Sequence, residues 1–162
     1  MKTASALACA VLLLAALLVL GCLAHARDAE AADIITLDFD ASAAGALPTG
    51  FSSAVTGGGG PASWVVVEDF TAPSGGKVLA QMSTDQTSFC FPLCVYDGFM
   101  ASDVTVSVSF KPVSGTIDQA AGLVARYRNK DNYYVVRANA LENNVRPYKV
   151  ERGNRKQFAG AN

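Results

Sequence analysis

AAGLVARYRNKDNYYVVRANALENNVRPYKVERGNRKQFAG, residues 120–160, holds four short runs of β-branched and aromatic residues punctuated by Asn, Asp and Gly. The runs 121–128, 133–140, 145–151 and 155–159 read as strands, because such side chains fit a pleated, half-buried surface. Their connections (129–132, 141–144 and Arg152-Gly153-Asn154) are short, so antiparallel meander pairing is expected. In the last connection Gly153 and Asn154 suit the positive φ of a tight hairpin.

Moving outward, 103–111 alternates most clearly. Val104, Val106, Val108 and Phe110 share one side, and Thr105, Ser107, Ser109 and Lys111 the other. It reads as a half-buried strand. WVVVE (64–68) and 77–82 read as two more strands, joined by the turn Ala72-Pro73-Ser74-Gly75-Gly76. IITLDFD (34–40) reads as the first strand, and 41–61, with the glycine run 57–60, as a flexible loop. No Gly-Lys-Ser/Thr follows that run, so it is no phosphate loop.

The N-terminus has the order of an export signal. Lys2 precedes an apolar stretch containing Leu12, Leu13, Leu14, Leu17, Leu18, Val19 and Leu20, and Ala24-His25-Ala26 offers small residues for cleavage. The expected division is a signal over 1–26 and one domain over 27–162, secreted or periplasmic. Gly21-Cys22 gives a second reading, a lipoprotein anchored at Cys22. A membrane is expected only through such a signal or lipid anchor.

His25 is the only histidine and leaves with the signal. That excludes Ser-His-Asp and Cys-His nucleophile pairs and any His-ligated zinc. Cys90 and Cys94 would remain. On an extended strand, positions four apart lie about 13 Å from each other, whereas a disulfide needs Cα atoms within about 7 Å. Either Pro92 folds the segment back to allow a bond, or both thiols are free. No further Cys or His completes a metal site.

Charge is uneven. Residues 27–125 carry three basic and eleven acidic side chains, net −8, and 126–156 carry nine basic and three acidic, net +6. Solvated basic positions on a sheet explain this plainly, while a basic surface meeting anionic sugars or nucleic acid is the functional alternative. No nucleic-acid-binding motif supports the nucleic-acid version, so no such partner is expected.

The segments Phe110-Lys111-Pro112, Asp118-Gln119-Ala120-Ala121-Gly122, Asp131-Asn132-Tyr133-Tyr134 and Arg137-Ala138-Asn139 resemble the concanavalin A-like lectin/glucanase (laminin G-like) jelly-roll superfamily. Ala72-Pro73-Ser74 and Phe91-Pro92-Leu93 also fit. More narrowly, the chain resembles bacterial secreted proteins described as family 16 glycoside hydrolase-like or 3-keto-disaccharide hydrolase-like, over roughly residues 39–160. The resemblance implies an all-β, antiparallel jelly-roll β-sandwich. It also implies further strands beyond Asn162, so the domain is expected to be C-terminally incomplete, with 34–40 an exposed edge. Pro147 departs from the family pattern inside a strand, where proline prefers an edge.

The resemblance implies sugar chemistry, but this fold carries lectins, enzymes and adhesion modules alike. A retaining glycosidase of this kind needs Glu-x-Asp-x-Glu or its bulged form, and neither is present. No catalytic residue is therefore assigned. A binding face needs less: aromatic rings against sugar C–H faces, and Arg, Asn or Asp for the hydroxyls. Arg126, Tyr133, Arg137, Asn139, Arg146 and Tyr148 are the candidates. Alternation puts Tyr133, Arg137 and Asn139 on one face and Arg146 with Tyr148. Plain packing of the tyrosines and solvation of the arginines is the bland alternative. No cofactor or metal is assigned; calcium is the one ion that Asp97, Asp103, Asp118 and Asp131-Asn132 would suit, and these are also ordinary turn residues. The expected function is an exported carbohydrate-binding module. A glycoside hydrolase-like enzyme and a structural or adhesion module without a sugar ligand are the alternatives.

Overall fold

The computed structural model describes residues 33–158. The chain divides into two units, 1–36 and 37–162. Of the first, residues 33–36 are described; they are exposed and outside any strand. The expected signal over 1–26 lies outside the described residues.

The second unit is all-β. Its eight strands are β1 (Phe51–Gly57), β2 (Trp64–Asp69), β3 (Gly76–Gln81), β4 (Cys90–Tyr96), β5 (Ala120–Asn129), β6 (Asn132–Asn139), β7 (Asn144–Glu151) and β8 (Asn154–Gln157). All pairings are antiparallel: β1 with β4, β2 with β3, and β5-β6-β7-β8 as a meander. The meander is the part the alternation pattern predicts. At its last turn Glu151 pairs with Asn154, so Arg152 (φ 50°) and Gly153 (φ 77°) form a two-residue loop. Positive φ at both central residues matches the right-handed strand twist. Arg152, not Asn154, shares that turn with Gly153.

Pro147 sits within β7, between β6 and β8. Its carbonyl accepts from Phe158 N–H at 3.3 Å, so its missing donor also faces the β8 side, just past the end of β8 at Gln157. The proline thus loses a ladder bond only where the neighbouring strand stops.

The β1–β4 ribbon packs on one face of the meander. Leu93 of β4 forms a buried cluster with Tyr133 and Val150, flanked by Ala54, Val124, Tyr127 and Val135. Thr56 of β1 is fully buried and its hydroxyl lies 2.9 Å from the Tyr133 hydroxyl. Thr56 also donates to the Lys130 carbonyl in the β5–β6 turn. Beside β2, the backbone of Gly45 and Ala46 bonds Val66, which is fully buried.

Three expectations are corrected. The run 34–40 is not a strand. Nor is 103–111, where Val104, Val106, Val108 and Phe110 stay 44–57 % exposed. Alternation makes one side of a segment apolar, but a strand also needs a ladder partner, and neither segment has one among the described residues. Lys111 instead reaches Asp69 and Thr71 at the end of β2. Third, 41–61 is not all loop, since it contains β1. Its glycine run is tied down: Gly60 N–H donates to Asp85, and Gly58 N–H to the Phe89 carbonyl at 3.2 Å.

Gly57 has φ +84°, and a Cβ there would lie 1.9 Å from the Phe89 carbonyl oxygen. Gly57→Ala should therefore lower stability by at least ~1 kcal/mol from backbone strain alone, read as a lower denaturant midpoint; an unchanged midpoint would contradict this packing. Asp85 is held down to about 2, first by Gly60 N–H and then by the Thr87 hydroxyl and N–H. Its folded value is depressed, so its stabilisation is complete above the ordinary value of 3.8 and is lost as pH falls through about 2. The Gly60 amide resonance should follow that titration, with a midpoint near 2 rather than 3.8.

Candidate functional site

Registers in the meander decide which side chains meet. Val135 pairs with Val124 and Tyr148, and Tyr148 with Gln157. Arg137 pairs with Gly122 and Arg146, Asn139 with Asn144, and Val150 with Tyr133 and Arg155. Directly opposed residues point the same way. Tyr133, Arg137, Asn139, Arg146 and Tyr148 thus share one face, the one the β1–β4 ribbon partly covers. Arg126 stands apart. It has φ 51° in an irregularity of β5 between Ala125 and Asn129, and its side chain is exposed. That bulge turns Tyr127 inward, 6.1 Å from the Tyr133 ring.

The five do different work. Tyr133, 3 % exposed, belongs to the core, and burial pushes its hydroxyl pKa up. Asn139 is a turn clasp. Its Oδ1 accepts from Leu141 N–H at 3.0 Å and Gln119 N–H at 3.4 Å, and its Nδ2 donates to Asp118. Arg137, its side chain 11 % exposed, is the hub of a polar network. It donates to Glu142, to Asn144 Oδ1 at 3.0 Å and to Asp118 at 3.5 Å. Its Nε is buried with no acceptor.

Tyr148 links this network to a second feature. The Arg137 guanidinium lies 5.8 Å from the Tyr148 ring centroid, and Arg155 of β8 lies 4.5 Å from it on another approach. Arg155 is also 3.8 Å from the Phe91 ring of β4, so its guanidinium contacts aromatic rings from two sheets. Such contacts favour the cation and supply apolar cover at once. Burial pulls the Arg155 pKa below the usual guanidinium range. At this spot an open cleft of about 580 Å³ is lined by Phe89, Phe91, Arg146, Tyr148, Arg155 and Gln157. Arg155, Phe91 and Phe89 were missed by sequence reasoning. Counting register back from the Arg152-Gly153 turn would have placed Arg155 on this face.

Two carboxylates, Asp118 and Glu142, share Arg137. Arg137, then Asn144, hold Glu142 below the usual carboxylate range. A general acid needs the opposite shift, so this arrangement suits a structural network. The calcium candidates are scattered among other partners. Asp97 accepts from Ser52 at 3.1 Å, Asp118 from Asn139, and Asp131 from Lys130 at 2.9 Å. No group of three or more His, Cys, Asp or Glu among the described residues is placed to hold a metal ion. Cys90 and Cys94 are free thiols on one strand. Burial first, then Asp97, pushes Cys94 up to about 11.

Arg137→Met should destabilise by roughly 1–2 kcal/mol, less than a fully buried pair because both carboxylates are near half-exposed. The Glu142 pKa, followed by NMR, should rise in that variant. The native contribution is present above the ordinary Glu value and lost as pH falls through the depressed one. Compared with protein-family models, curated proteins and solved structures, the chain matches none.

Proposed function

We propose that the chain is an exported carbohydrate-binding module, with its site on the ribbon-side face of the meander. The observation that carries this reading is the cleft where Tyr148 and Phe91 rings, the Arg155 and Arg146 guanidiniums and the Gln157 amide converge. Sugars present alternating C–H patches and hydroxyls, which call for rings beside fixed polar groups. Of the candidates, Arg146 and Tyr148 line the cleft itself. Arg137 contacts the Tyr148 ring, and Tyr133 and Asn139 hold the strands and turn in place. Arg126 has no part in it. The resemblance of 120–160 to jelly-roll lectins supports the same assignment, with the antiparallel sheets forming part of such a sandwich. The N-terminal signal pattern supports export.

A broad glycan array tests it. The full chain should bind a defined subset of glycans, and Tyr148→Ala should reduce that binding by about tenfold or more, the usual loss for a central aromatic contact. Absence of binding across the array would refute the proposal. Release of reducing sugar from polymeric glycans would instead favour an enzyme.

A further inference from the structure

The cleft is lined by a cation that two aromatic rings contact. Phe91 and Tyr148 lie against the Arg155 guanidinium, 3.8 and 4.5 Å from their ring centroids. Among the described residues no carboxylate lies within ion-pair distance of Arg155, and no acceptor takes its side-chain N–H groups. Three other basic residues of this sheet are neutralised locally: Arg137 by Asp118 and Glu142, Lys149 by Glu151, Lys130 by Asp131. Arg155 is not, although it sits in the stretch 126–156 whose net charge is +6.

A guanidinium directs its five N–H donors in its plane. Ring contacts restrict the motion of this one, so that less side-chain freedom is lost when an acceptor binds it. The group best matched to such a fork is a planar carboxylate, which accepts two parallel N–H bonds, or a sulfate of similar spacing. Phe89, 74 % exposed at the cleft rim, supplies apolar surface beside it. A ligand with an anionic group one bond from an apolar C–H face fits both features.

We infer that the ligand is an acidic glycan whose carboxylate or sulfate is clamped by Arg155. This rests on the carbohydrate-binding reading above and narrows it to a substrate class. Arg146 lines the same cleft.

The test compares two ligands that differ only in charge, oligogalacturonate and its carboxyl-reduced neutral counterpart, titrated calorimetrically against the full chain. The acidic oligomer should bind about tenfold tighter, the margin of a bidentate charge-assisted pair. That margin should shrink as salt rises from about 50 to about 200 mM. A sulfated galactan oligomer in a third arm separates sulfate from carboxylate recognition. Arg155→Gln should cut acidic-ligand affinity about tenfold while leaving the neutral ligand within about twofold, and Arg155→Lys should retain part of the preference. A melting curve for each variant checks folding, and the two-ligand comparison on the unmodified chain needs no variant. Equal binding of the neutral oligomer, or an acidic preference untouched by Arg155→Gln in a folded variant, overturns the inference and leaves carbohydrate binding standing. Equal competition by a single-stranded DNA of matched charge overturns it in favour of general polyanion binding. Binding of no oligosaccharide in any arm overturns both readings.

Discussion

The Thr56–Tyr133 contact is the constraint on which the rest of the described structure depends. A fully buried threonine from β1 meets a nearly buried tyrosine from β6, and each hydroxyl gives the other a partner away from water. Without that bond, seating the ribbon on the meander would bury the Tyr133 hydroxyl without a partner, a cost of about 1–3 kcal/mol, while Thr56 would keep only its bond to the Lys130 carbonyl. Leu93 and Val150 close around the same point. Few large side chains are fully buried among the described residues, so the docking of ribbon on meander rests on a small apolar cluster and one polar anchor.

From that anchor the registers run outward without slippage through β6, β7 and β8, and they set the chemistry. One end of the face, near Asn139 and Asn144, is a self-contained polar network in which every carboxylate has a cation. The other end, near Tyr148 and Arg155, holds rings and positive charge beside open space. Both ends use arginine, but Arg137 has two carboxylate partners and Arg155 has none within ion-pair distance among the described residues. The contrast between these two environments, rather than the count of basic residues, distinguishes a structural polar cluster from a surface suited to a ligand.

The meander was legible in the sequence because Tyr133, Val135, Tyr148 and Val150 alternate with solvent-facing residues and because Gly153 marks a turn. β1 and β4 were not. FSSAVTG has few large apolar residues, and CFPLCVY carries a proline at its centre. In a two-stranded ribbon every strand is an edge, so Pro92 is tolerated and its warning misleads. The opposite error arose at 103–111, where perfect alternation describes a surface that could be half-buried but is silent about a pairing partner. For the site, spacing grouped Arg137 with Asn139 and Arg146 with Tyr148 correctly. It could not tell that Tyr133 and Asn139 serve packing and turn geometry, because that depends on the ribbon contributed by residues far away in sequence. Arg155 was overlooked for the same reason: its significance comes from Phe91, across the interface.

The guanidinium of Arg155 has one more consequence. Its two ring partners come from separate layers, Phe91 from the ribbon and Tyr148 from the meander. It therefore acts as a rivet between them. Whatever occupies its in-plane donors would fix the rivet, and by mass action anything bound only when the layers are joined raises the work needed to peel them apart. Occupancy and mechanical cohesion of the two layers become a single thermodynamic variable, so this surface would report its occupant through the melting temperature of the whole domain.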